Sequence, residues 1–132
     1  MLKDKTAVIT GGVRGIGKAI AEAFCRNGAD VMLIYRSNDE EAAKTVEELK
    51  KYGTQVHLLK GDISEPETAA EAAAKVKELF GKVDILVNNA GITNDKLMMR
   101  IGPEDFDKVI RANLSGAFYM MKELSAMMVK KR

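Results

Sequence analysis

The chain has 132 residues, 46% hydrophobic and 30% charged, with a formal net charge of +2. That balance suits one soluble domain with a modest core, and it gives no electrostatic case for nucleic acid or an anionic membrane as partner. One cysteine and one histidine exclude a disulfide framework and leave a transition metal almost without ligands, so no metal is expected.

Met1 to Lys5 is charged and precedes only a short apolar run, which reads against a secretory leader. No segment is long enough to span a bilayer, and a reducing, cytoplasmic setting is expected. The first apolar run, Thr6–Thr10, predicts a strand. Directly behind it comes "TGGVRGIG", Thr10 to Gly17, with four glycines in eight positions. A helical pattern follows, "GKAIAEAF", ending at Gly28; Cys25 falls on it as a buried, inert thiol. Val31–Tyr35 predicts the second strand, followed by Arg36. Ser37-Asn38-Asp39-Glu40 is a capping-box sequence for a second helix, with Gly53 just past its end.

Gln55–Leu59 predicts the third strand, in which His57 is structural. Asp62 follows, then a second box, Ser64-Glu65-Pro66-Glu67, and a helix closed by Gly81. Val83–Val87 predicts the fourth strand, leading into Asn88-Asn89-Ala90-Gly91. The last helical stretch starts around Pro103 and runs almost to the end, where the basic Lys130 to Arg132 suits the helix dipole.

Each strand is short, nearly continuously apolar and bounded by turn residues, as parallel strands buried on both faces are. Strand starts recur about every 25 residues, the spacing of right-handed βαβ units. The expected fold is α/β: a partial, Rossmann-like doubly wound parallel sheet of four βα units, one domain over residues 1–132, in the order 3-2-1-4. The first two helices then cover one face and the last two the other. Ligands of such sheets sit at the carboxyl ends of the strands where the order reverses, between strands 1 and 4. The glycine stretch lies there. Absent Cβ atoms let a ligand approach the main chain, and a helix N-terminus offers free N–H groups to a pyrophosphate. A tight turn is the bland alternative; the strand before and the helix after favour the cradle.

The spacing Gly11-x-x-x-Gly15-x-Gly17 behind Thr10 resembles the TGxxxGxG motif of the short-chain dehydrogenase/reductase family, and "NNAG" resembles a second signature of that family. The stretches "VDILVNNAGITNDKLMMR" and "DFDKVIRANLSGAFYMMK" are most similar to its 3-oxoacyl-acyl-carrier-protein reductase branch. The resemblance covers the whole chain and about the first half of the family's pattern. It implies a nicotinamide dinucleotide held by Gly11, Gly12, Val13, Arg14, Gly15, Ile16 and Gly17, with Asn89, Ala90 and Gly91 lining the site.

An acid after strand 2 would select NAD; Tyr35 and Arg36 stand there instead. Arg36 with Arg14 favours NADP(H), because a guanidinium binds a 2′-phosphate in a fork; each alone also reads as a surface charge. The missing acid also disfavours an S-adenosylmethionine-binding domain. Asp62, with the Ile63 backbone, matches a family contact to adenine, and it equally suits a turn aspartate before the next helix. Asn113 matches the family's catalytic asparagine, where the helix is disturbed; an exposed helical asparagine is the alternative.

The resemblance implies reduction of an acyl-carrier-bound substrate by a serine and a Tyr-x-x-x-Lys pair that these residues lack. Tyr119 and Lys122 are three apart, not four. The alternative is an inactive nucleotide-binding or self-assembling module. Either way strand 4 becomes a sheet edge, and this predicts a homo-oligomer. The Met120, Met121, Met127 and Met128 cluster suits such an adaptable packing surface, with core packing inside one chain the commoner explanation for such residues.

Overall fold

Five consecutive buried residues, Thr6–Thr10, form β1. In this computed structural model, which describes residues 1–90 and 100–131, β1 lies between β2 (Asp30–Tyr35) and β4 (Ile85–Asn88), and β3 (Val56–Lys60) lies outside β2. All pairings are parallel, in the order β3-β2-β1-β4. Val8 sits beside Met32 on one side and Leu86 on the other.

Successive side chains point to opposite faces of a strand, and two cores follow. Ala7, Ile9, Val31 and Leu33 pack with α1 (Gly15–Arg26) through Ala21 and Cys25, and with α2 (Asp39–Leu49) through Ala42 and Leu49. Val8, Met32 and Ile34 pack with Ala69, Ala72 and Val76 of α3 (Pro66–Leu79), and with Met120 and Leu124 further on. The last helical stretch is α4 (Pro103–Ile110) and α5 (Gly116–Lys131), joined by a π-turn over Arg111–Ser115. The expected division of helices between the two faces holds, and Cys25 is buried with a free thiol.

Three local expectations need correction. Ser37 does not cap α2: the Asn38 side chain accepts the Glu41 N–H at 3.0 Å. The second box is not made either. Glu65 stands at the cap position without a side-chain bond, while the Thr68 hydroxyl donates to the Asp62 carbonyl at 2.7 Å. The fourth strand starts two residues later than the apolar run, because Asp84 is used at its entrance. The Asp84 carboxylate accepts the Thr6 N–H at 2.9 Å and pairs with Lys82 at 2.8 Å. Burial pushes this carboxyl up, but those bonds outweigh it and leave its pKa below the ordinary value.

β4 is an edge of the sheet among the described residues. Phe106, Ile110, Leu114, Phe118 and Met121 are exposed along α4, the π-turn and α5. At 3.6 residues per turn a spacing of four drifts by about 40°; the wider turn offsets part of that drift and keeps the stripe on one side. Met120 is buried, whereas Met127 and Met128 only border the core. Among the described residues no helix is long and apolar enough to cross a membrane.

Candidate functional site

At the carboxyl ends of β1 and β4 the glycine stretch and the Asn88–Ala90 bend are tied together. The Thr10 hydroxyl accepts the N–H groups of Asn89 and Ala90, both at 3.0 Å, and donates to the Val87 carbonyl at 3.4 Å. The Asn89 side-chain amide donates to the Gly11 carbonyl at 3.2 Å, and the Gly11 N–H donates to the Ile34 carbonyl at 2.8 Å. Gly11 has φ +67°, a left-handed conformation that glycine adopts without strain. Two motifs about 80 residues apart are thus one hydrogen-bonded unit.

Behind this unit α1 begins with a bare end. Its cap residue, Arg14, makes no side-chain cap bond, and its first turn holds no acid. The first turn of α2 contrasts with it, carrying Asp39, Glu40 and Glu41 under the Asn38 cap. The N–H groups and positive dipole end of α1 therefore remain available to an external anion. A Cβ on Gly15 would meet nothing within 4 Å, so the main chain there faces open space. The opening belongs to a cleft of about 690 Å³.

Nine of the expected site residues line that cleft: Gly11, Val13, Arg14, Gly15, Arg36, Asp62, Ile63, Asn89 and Ala90. Others stand elsewhere. Gly12 is buried against Leu33, and Gly17 is packed under Gly11, where a Cβ would lie 2.0 Å from the Gly11 carbonyl oxygen. Ile16 is exposed on the first turn of α1. Gly91 lies outside the described residues. Asn113 is in the π-turn, where the Gly116 N–H reaches back five residues to the Arg111 carbonyl; its neighbour Ala112, not Asn113 itself, lines the cleft. The expected disturbance of the helix is present at that asparagine.

Asp62 holds a turn and faces the cleft at once. One carboxylate oxygen accepts the Ser64 N–H at 2.9 Å and the Ser64 hydroxyl at 2.7 Å, while the other lies 3.9 Å from the Arg36 guanidinium. Burial raises this carboxyl; the Ser64 bonds and the Arg36 and Lys108 charges outweigh it and hold the pKa below the ordinary value. Arg36 itself is exposed, and its contact with Asp62 is looser than the Ser64 bonds.

Sequence reasoning missed Ser37, Asn38 and Gly61 as cleft-lining residues. The first two carry a helix-start signal that hides a second role. Gly116 was missed as well. A Cβ there would lie 3.0 Å from the Ile63 carbonyl oxygen, so its bareness lets α5 close on the Ile63 turn. Among the described residues no group of three or more His, Cys, Asp or Glu could hold a metal ion.

A family model described as short chain dehydrogenase matches residues 5–132. The chain belongs to the short-chain dehydrogenase family. Within that family it is 40% identical over 130 residues to an L-rhamnose 1-dehydrogenase (NADP(+)) of Thermoplasma acidophilum, covering 98% of this chain and 51% of that one. It is 36% identical over 129 residues to a 3-oxoacyl-[acyl-carrier-protein] reductase of Staphylococcus epidermidis, covering 98% and 53%. The fold superposes on L-sorbose reductase from Gluconobacter frateurii, solved with NADPH and L-sorbose, with a TM-score of 0.93 at 32% identity, over 98% of this chain and 49% of that one. The chain spans about half the length of the family members it matches.

Proposed function

We propose that these residues form the cofactor-binding half of an NADP(H)-dependent carbonyl reductase that acts on 3-oxoacyl groups carried on acyl-carrier protein. The observation that carries the reading is the lock between Thr10, Gly11 and Asn89, which opens an uncapped helix end and the bare main chain of Gly15 toward one cleft. A diphosphate fits that chemistry: it is anionic, and the donors facing it are main-chain N–H groups without an acid beside them.

In this reading the diphosphate is received by the main chain at Gly11, Gly15 and the start of α1, with Gly12 and Gly17 packing the arc behind it, and Arg14 and Arg36 receive the 2′-phosphate. Asp62 and the Ile63 main chain orient the adenine, and Asn89 and Ala90 wall the nicotinamide side. A bound nicotinamide supplies or accepts a hydride. Asn113 supports proton movement through the π-turn, where carbonyls leave the regular i to i+4 ladder. No tyrosine in these residues has a lysine four places on, so in this reading the proton donor lies outside them and they bind without turning over.

NADPH and NADH compared for thermal protection and affinity test this. The expected result is protection of several degrees by NADPH at saturating concentration and less by NADH. Equal protection, or none, overturns the assignment of Arg14 and Arg36. Similarity to an L-rhamnose dehydrogenase favours a second reading, a sugar dehydrogenase. A full-length enzyme that turns over L-rhamnose with NADP⁺ and not a 3-oxoacyl thioester with NADPH selects it. Binding without turnover of either in the full-length protein selects an inactive nucleotide-binding module. Self-association belongs to the proposal too, supported by the β4 edge and the exposed stripe on α4 and α5.

A further inference from the structure

Thr45 is a polar residue on the core-facing stripe of α2, in line with Ala42 and Leu49, and it is fully buried. Its hydroxyl donates to the Val13 carbonyl at 2.8 Å. Val13 lies in the middle of the arc from Gly11 to Gly15, whose ends both take positive φ. The arc's other described hydrogen bonds hold its two sides: Gly11 is tied to Ile34 and Asn89, and the Arg14 carbonyl accepts the Lys18 N–H of α1 at 3.2 Å. A planar trans peptide points its N–H opposite its C=O. Fixing the Val13 carbonyl toward α2 therefore turns the Arg14 N–H away from α2 and sets where Arg14 leaves the loop. Arg14 and Val13 both line the cleft. A second tie, Lys18 to Glu48 at 2.8 Å, holds α1 to α2 beside it.

We propose that Thr45, which touches no ligand itself, is a positioning residue for the dinucleotide: its buried hydroxyl holds the middle of the glycine arc in the shape that receives the diphosphate. The inference rests on the dinucleotide reading above and adds a residue from another helix to that site. Through α2 it also links the arc to Arg36, Ser37 and Asn38, which precede the same helix and line the same cleft.

The test compares the full chain with Thr45→Val and Thr45→Ser, measuring the dissociation constant for NADPH by titration and the melting temperature without ligand. Valine keeps the shape and leaves the Val13 carbonyl buried without its donor; serine keeps the donor. The expected result is NADPH binding about tenfold weaker in Thr45→Val and within about twofold of wild type in Thr45→Ser. An unchanged dissociation constant in Thr45→Val, whether or not its melting temperature falls, overturns the inference and leaves Thr45 a packing residue. Equal losses in valine and serine overturn it as well, because the methyl and not the hydroxyl then matters. Failure of the wild-type chain to bind NADPH is a different result: it removes the dinucleotide reading itself.

Discussion

Gly17 lies so close under Gly11 that a Cβ added to it would stand 2.0 Å from the Gly11 carbonyl oxygen and 2.5 Å from the Asn89 amide nitrogen. Neither neighbour can give way cheaply: one is backbone, and the other is bonded to that same carbonyl. Gly17→Ala is therefore expected to lower stability by about 3 kcal/mol or more, measured by denaturant unfolding.

Gly15 differs from Gly17 in kind. It has φ +59° and open space where a Cβ would go, so Gly15→Ala meets only the left-handed strain of about 1–2 kcal/mol. Its larger effect is expected in NADPH affinity, because the new methyl enters the cleft. A Gly15→Ala chain that binds NADPH as tightly as wild type would count against a ligand at this main chain.

Thr10 satisfies two main-chain N–H groups beyond β4 with one oxygen. Thr10→Val preserves the shape and orphans both donors, for an expected loss of about 2–4 kcal/mol in thermal or chemical unfolding. Thr10→Ser is expected to recover most of that loss. If the valine variant unfolds at the wild-type denaturant midpoint, the bend is held by something else.

Asp84 carries an acid limb of stability. Its folded pKa lies below the ordinary aspartate value, so the stability it contributes is fully present above that ordinary value and is lost as pH falls through the depressed one. Melting temperature measured across this acidic range is expected to fall more steeply in wild type than in Asp84→Asn, which lacks the titrating group. At neutral pH the variant should be the less stable of the two, since asparagine replaces a charge-assisted bond to Lys82 and the Thr6 N–H.

Phe106 and Phe118 stand 60% and 55% exposed on one side of the α4–α5 stretch. The double variant Phe106→Lys, Phe118→Lys is expected to weaken self-association in sedimentation velocity without unfolding the chain, as charges on a buried apolar contact do. An unchanged sedimentation profile would leave the β4 edge as the surface to vary next.

The sheet was legible because each strand is a short run of apolar residues fenced by turn residues, and buried parallel strands need that pattern on both faces. The glycines at 11, 15 and 17 were legible as a group for the same local reason. Their separate duties were not: Gly15 and Gly17 differ only in what stands next to their missing Cβ atoms, and that neighbour comes from residues distant in the chain. The capping assignments at Ser37 and Ser64 went astray where neighbouring polar residues compete for the same free N–H groups, a contest that spacing alone does not decide.

By itself the sequence determined the order of elements, the parallel sheet and the end of it at which a ligand belongs, since hydrophobic period and turn chemistry are local properties. Only the tertiary structure decided that Thr10 grips the Asn89 bend, that Thr45 reaches the glycine arc from another helix, and that Asp62 serves a turn and a cleft together. The first two are hydrogen bonds between residues 32 to 80 positions apart, and a bond across such a distance is fixed by how the layers pack, which no local pattern records.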